Sequence, residues 1–176
     1  MVLFIVFLLS INAQKTPIDS LQKAFDKAEN DQARFNNLLD QIAYYRLNDL
    51  GKARKKVNEL NAYAIKINEK PNIARAKFHN AVQFRKEGNY DSSIVYYLDA
   101  IKLFEELGDQ TQVSLSYASI GIAYWQLKEY DPALRFFRKA HYYIEKQGNP
   151  TRILSNFNNI AGVFFDLKQF DSALVY

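Results

Sequence analysis

The side chains best equipped for chemistry are His79 and His141, and neither stands where chemistry would use it. A zinc-hydrolase helix carries its two histidines four residues apart with a glutamate beside the first. Here the two histidines are far apart, on different predicted helices, so both are expected to be ordinary surface or groove residues. Glu105 and Glu106 and the scattered aspartates have no glycine-rich loop or fixed partner, and they read as exposed helix faces. Gly121 stands alone among apolar neighbours, as a packing glycine does, with nothing of a phosphate loop around it. The chain has no cysteine, which excludes disulfides, thiolate metal sites and cysteine nucleophiles. These residues predict a non-enzymatic protein with no cofactor and no metal.

Composition narrows the partners. The 176 residues are 48% hydrophobic and 24% charged, within the ordinary range for a soluble fold, and the net charge is +4. Nucleic-acid binding needs basic residues gathered on one surface. The densest group, Lys52, Arg54, Lys55 and Lys56, reads as a solvated helix face, so no nucleic-acid partner is expected. The opening MVLFIVFLLSI has no charged side chain and one polar one, and it is shorter than the roughly 20 apolar residues that span a bilayer. It fits the apolar core of a secretory signal ending at Ala13, although no Lys or Arg precedes it; the alternative is a hydrophobic first helix. Residues 1–13 are accordingly expected to act as a signal-like segment. That makes the protein exported or membrane-associated, periplasmic or extracytoplasmic, with a cytoplasmic location as the alternative.

The elements that would position any site come from a repeat. Tyr117 to Ala140 reads as two helices joined by a tight turn. Forty residues on, Phe157, Ile160, Ala161, Phe164, Phe170, Asp171 and Ala173 fall under Tyr117, Ile120, Gly121, Tyr124, Tyr130, Asp131 and Ala133. Forty residues back, Ala81, Phe84, Tyr90, Asp91, Ser93, Tyr97 and Ala100 fall under Gly121, Tyr124, Tyr130, Asp131, Ala133, Phe137 and Ala140. Self-similarity at such a period marks a solenoid whose units bury one another. The predicted stops Asn68, Gly108 and Gly148 share the period, as do Asp91, Asp131 and Asp171, which are expected to cap second helices. Pro132 is placed at a first helical position, and Pro71 and Pro150 in connections.

The resulting map has an N-terminal helix over 16–30 and a degenerate repeat over 31–70 marked by Leu38, Leu39, Ile42, Ala43 and Tyr44, then Ala53, Val57, Leu60, Ala64 and Ile65. Further repeats occupy 71–110, 111–150 and 151–176. The last helix would be cut short, leaving Ala173, Leu174 and Tyr176 uncovered, so the chain is expected to be a fragment of a longer protein.

These residues resemble the tetratricopeptide repeat. That family has an aromatic and a leucine early in helix A, then a small residue and an aromatic, with alanine, aromatic and alanine on helix B. The third unit supplies Tyr117, Ile120, Gly121, Tyr124, Tyr130, Ala133, Phe137 and Ala140. The second departs with Lys77 and Asn80 at its start and with Ser93 where alanine is usual. The longer spacing is similar to that of such segments in bacterial signalling proteins. The resemblance implies an all-α solenoid of stacked antiparallel helical hairpins, a superhelix whose A helices line a concave groove.

Carried over by register, the groove would comprise Phe78, Val82 and Arg85, then Ala118, Ile122 and Trp125, then Asn158, Gly162 and Phe165. Trp125 is either its anchor or a packing residue between helices. The basic-and-asparagine arrangement with which some members grip a terminal carboxylate is not reproduced, since Val82 and Ile122 stand where its asparagine would be. The resemblance implies a non-enzymatic scaffold for a protein or peptide segment. The alternative is the extracytoplasmic sensory region of a truncated sensor kinase or transcriptional regulator, with membrane attachment only through the N-terminal segment or a helix further on.

Overall fold

The computed structural model describes residues 17–176, and the signal-like segment predicted over 1–13 lies outside them. Among the described residues every regular element is a helix. A short α1 (Pro17–Asp26) precedes four antiparallel pairs: α2 (Asp31–Asn48) with α3 (Leu50–Ile67), α4 (Lys70–Lys86) with α5 (Tyr90–Glu106), α6 (Gln110–Gln126) with α7 (Tyr130–Gln147), and α8 (Pro150–Asp166) with α9 (Phe170–Leu174). Each helix packs on its sequence neighbours, and the first helices of successive pairs also touch, α4 on α6 and α6 on α8. This is the expected all-α solenoid.

Apolar spacing explains which faces are buried. On α3 the buried residues Ala53, Val57, Leu60 and Ala64 recur at intervals of four, three and four, a single stripe. Helix α6, held between two pairs, buries Val113, Ser114 and Ser116 as well as Ile120, Gly121 and Ala123, so more than one face is covered. There is accordingly no single core. One cluster joins α2, α3 and α4 around Phe35, Ile42 and Leu60; a second joins α4, α5 and α6 around Tyr97 and Phe104; a third joins α6, α7 and α8 around Phe137 and Ile160. In the first pair Ala43 and Ile65, expected on the apolar stripes, are exposed.

Helix ends depart from expectation in their details. Asn68, Gly108 and Gly148 are left-handed, with φ of 54°, 69° and 61°. The first helices of the last three pairs also end left-handed, at Gly88, Lys128 and Lys168, and two of these positions carry lysine, whereas α2 ends at an extended Asp49. Asp91, Asp131 and Asp171 are not caps. Their helices begin one residue earlier, so these carboxylates lie in the first turn, where they still meet the positive end of the helix dipole. The side-chain caps belong instead to Asn30, Asp49, Asn89, Asp109 and Asn149, each accepting a backbone N–H three residues on. Pro132 is the third residue of α7, and Pro71 and Pro150 lie inside the first turns of α4 and α8 rather than in connections. All three occupy positions whose N–H has no helical partner.

Half of the repeat-defining residues are interior. Ala81, Ser93, Tyr97, Ala100, Ala133, Phe137 and Ala140 are inaccessible to solvent, and Gly121 is buried beneath the Phe137 ring. Phe84, Tyr90, Tyr124, Tyr130, Ala161, Phe164 and Ala173 are half-buried. Phe170 is the exception at 53% exposed. Tyr90 and Tyr130 join clusters that include the next pair's first helix, whereas α9 packs on α8 alone.

Candidate binding face

The register-derived groove residues do not form one continuous lining. Phe78 and Val82 are half-buried against the second cluster, Phe78 lying edge-on to Tyr97 with ring centres 5.4 Å apart. Ile122 packs into the third cluster. These three belong to the packing, because the side of helix A that carries them also meets helix B. Ala118, Asn158 and Phe165 remain on the face, with Phe165 63% exposed and edge-on to Phe170.

Trp125 is half-buried and bridges two pairs. Its indole lies over Gly162, and its Nε1–H donates to Asp166 Oδ2 at 2.7 Å. The packing alternative raised by the sequence has concrete contacts here: the ring spans from α6 to α8 and crosses the Phe137 ring at 6.5 Å.

Between α6 and α8 lies a cleft of about 100 Å³ lined by Ser114, Leu115, Ala118, Ile144, Arg152, Ser155, Asn156 and Asn159. Arg152 closes one side. It donates to Gln147 Oε1 (2.7 Å), Thr111 O (3.1 Å) and Ser114 Oγ (2.9 Å), and burial lowers its pKa. Asn156 donates to Phe137 O at 3.1 Å, while its buried Oδ1 accepts nothing within the fold. A larger cavity of about 360 Å³ is lined by residues of α3, α4 and α5, among them Asn58, Asn61, Ile65, Lys77, Asn80 and Tyr96. Neither space is marked by a motif in the sequence; each arises where residues of separate helices meet.

At the other end of the face, Arg46 of α2 reaches α4. Its Nη1 lies 3.0 Å from His79 Nδ1, its Nη2 donates to the His79 carbonyl at 2.6 Å, and its Nε donates to Gln83 Oε1 at 3.3 Å. Burial, then the neighbouring charges of Arg46 and Arg75, hold the His79 pKa down near about 3, so the ring is neutral at physiological pH. Burial also lowers the Arg46 guanidinium to about 10. His79 is thus a half-buried acceptor for a cation rather than an ordinary surface residue. His141 is half-buried too, its ring 4.8 Å from that of Phe157. Arg54, expected on a solvated face, instead ties α3 to the end of α4. It contacts both Glu87 oxygens, donates to Asn80 Oδ1 at 3.0 Å and lies over the Phe84 ring. Sequence reasoning missed Arg46 because its partners lie more than thirty residues away on another pair.

Among the described residues no group of three His, Cys, Asp or Glu side chains could hold a metal, and no helix is long and apolar enough to cross a membrane.

Stacked helix pairs with partly buried polar groups along one edge define a helical-repeat scaffold. Residues 72–141 match the family model for the tetratricopeptide repeat, so that stretch is similar to the family. Among curated proteins none matches the chain. Solved structures that share the fold include the following three. BtubC (BKLC) from P. vanneervenii aligns with a TM-score of 0.73 at 17% identity, over 90% of this chain and 66% of that one. The STAND signal-transduction ATPase PH0952 from Pyrococcus horikoshii, which has a tetratricopeptide repeat sensor, aligns at 0.70 and 21% identity over 87% of this chain and 25% of that one. The apo form of RapI aligns at 0.70 and 19% identity over 88% and 57%. The chain therefore spans less than two thirds of each. Such folds are typically non-catalytic scaffolds for proteins or peptides.

Proposed function

We propose that this chain is a non-enzymatic scaffold that holds an extended segment of another protein along the face formed by α2, α4, α6 and α8. The observation that carries this reading is the cleft between α6 and α8. It offers a bound segment apolar contact at Leu115, 38% exposed, and at Ala118, with the polar side chains of Ser155 and Asn159 beside them. Selection of a random peptide library against the protein tests the reading. Wild-type protein should enrich binders, and Ala118→Arg, which fills the cleft while the fold stays helical by circular dichroism, should abolish their binding. Enriched peptides that bind both proteins equally would refute it.

A second reading makes the array the extracytoplasmic sensory region of a larger regulator. It is favoured by the apolar segment over 1–13 and by the sensor role printed for the repeats of PH0952. Fusing residues 1–30 to alkaline phosphatase checks the exported location. Phosphatase activity in cells supports it, and an inactive fusion retained in the cytoplasm refutes it.

A further inference from the structure

Where α2 meets α4, several cations gather with few counter-ions. Arg46, Arg75 and Arg85 are each half-buried, and none takes part in an ion pair among the described residues, whereas nearby Arg54 is paired with Glu87. The partners of Arg46 are all neutral: the ring and carbonyl of His79, and the Gln83 amide. Arg75 donates only to Asn36 Oδ1, at 3.1 Å, and lies over the Phe35 ring. Arg85 Nε is buried without any acceptor, and so is the hydroxyl of Tyr97, a residue of 0% exposure within electrostatic reach of Arg46.

A cation taken partly out of water and given only neutral partners keeps its desolvation cost without the Coulombic return that an anion supplies. The donor inventory points the same way. Arginine cannot accept, so the Nδ1 of a neutral His79 must, which leaves the ring proton on Nε2 as one more donor. Arg46 has five N–H groups, of which three are engaged. The two that remain, one on each terminal nitrogen, are free to donate to an acceptor outside the fold.

Resting on the binding-face reading and making it specific, we propose that Arg46 and Arg85, with the Nε2–H of His79, form a pocket for an aspartate or glutamate side chain of the bound segment. The face then selects acidic sequences at its α2–α4 end. The pocket uses neither Val82 nor Ile122, the positions at which the terminal-carboxylate arrangement would carry its asparagine.

Fluorescence anisotropy with labelled hexaglutamate at low ionic strength tests the pocket, with hexaglutamine and a phosphoserine hexapeptide for comparison. Hexaglutamate should bind and hexaglutamine should not. Arg85→Gln, which removes a side chain that holds nothing within the fold, should weaken hexaglutamate about tenfold, since one charge-assisted hydrogen bond is worth roughly that. Arg46→Gln combined with Arg85→Gln should weaken it further. The exposed pair Arg135→Gln with Arg138→Gln makes the same change in net charge and should have no effect. Equal weakening by both double variants, undiminished binding to Arg85→Gln, or stronger binding of the phosphoserine peptide would each overturn the proposal. If hexaglutamate fails to bind while library peptides still bind in the manner blocked by Ala118→Arg, the pocket falls and the binding face stands. If neither binds, both fall.

Discussion

Trp125 and Gly162 fit together as ring and gap: a β-carbon built at position 162 would stand 2.4 Å from the indole Cη2, far inside van der Waals contact. The absent side chain on α8 is what lets the indole of α6 cross over and reach Asp166. Gly162→Ala should therefore displace the ring and destabilise the protein by about 1–2 kcal/mol, the usual cost of overpacking. With Trp125→Ala already in place the same change should stabilise by about 1 kcal/mol, because alanine is the better helix former. Urea denaturation of the two single variants and the double variant checks the reversal of sign, and a Gly162→Ala effect that keeps its sign in both backgrounds would disprove the fit.

Lys128 and Lys168 end their helices with φ of 61° and 59°, a conformation that Gly88 adopts at the corresponding place in the preceding pair. A β-carbon makes the left-handed region costly by about 1–2 kcal/mol. Part of that is returned as extra chain entropy when glycine replaces lysine. Lys128→Gly should raise the melting temperature, corresponding to a gain of about 0.5–1 kcal/mol by thermal denaturation.

Ser93 occupies the position of Ala133 and Ala173 and is fully buried, with a hydroxyl that finds no partner. Its small size suits the contact but its oxygen does not. Ser93→Ala should stabilise the protein by about 1 kcal/mol in chemical denaturation, since it removes an unpaired buried polar group without leaving a hole.

His79 carries a pH dependence. Its folded pKa of about 3 lies below the unfolded value of 6.5, so between those limits the unfolded chain binds the proton and the folded one does not. Stability contributed by the neutral ring is complete above about pH 6.5 and falls as pH drops toward 3. Arg46 from α2 and Arg75 on α4 are the charges that face the ring. Between pH 7 and 5 the wild type should lose about 1–2 kcal/mol more than His79→Gln, which retains an acceptor for Arg46 but no titrating ring. Equal losses, measured by urea titration at the two pH values, would place the ring in solvent.

Local signals made the architecture readable. Small residues, aromatics and helix stops each depend on a few neighbouring positions, and the chain repeats them, so the agreement among Gly121, Ala133, Phe137 and Gly148 amounts to a description of a helix pair and its end. Even there the pattern was coarse. It placed the caps on Asp91, Asp131 and Asp171, two residues past the N-cap positions Asn89, Glu129 and Gln169, of which Asn89 alone caps with its side chain, because an acidic first turn and a true cap look alike in sequence.

The proposed binding face was legible only in outline. Register put Arg85, Ala118, Trp125 and Asn158 on the first helices, but it could not tell Phe78, Val82 and Ile122, which turn into the packing, from residues that stay outside. Period and residue type are properties of one helix at a time, and the chain alone determined those. Which cations go unpaired, which glycine sits beneath an indole and which asparagine keeps a free oxygen depend on the spacing between helices of different pairs. Arg46 meets His79, Trp125 meets Gly162 and Arg152 meets Ser114 only once the pairs are stacked, and only the tertiary structure decided those contacts.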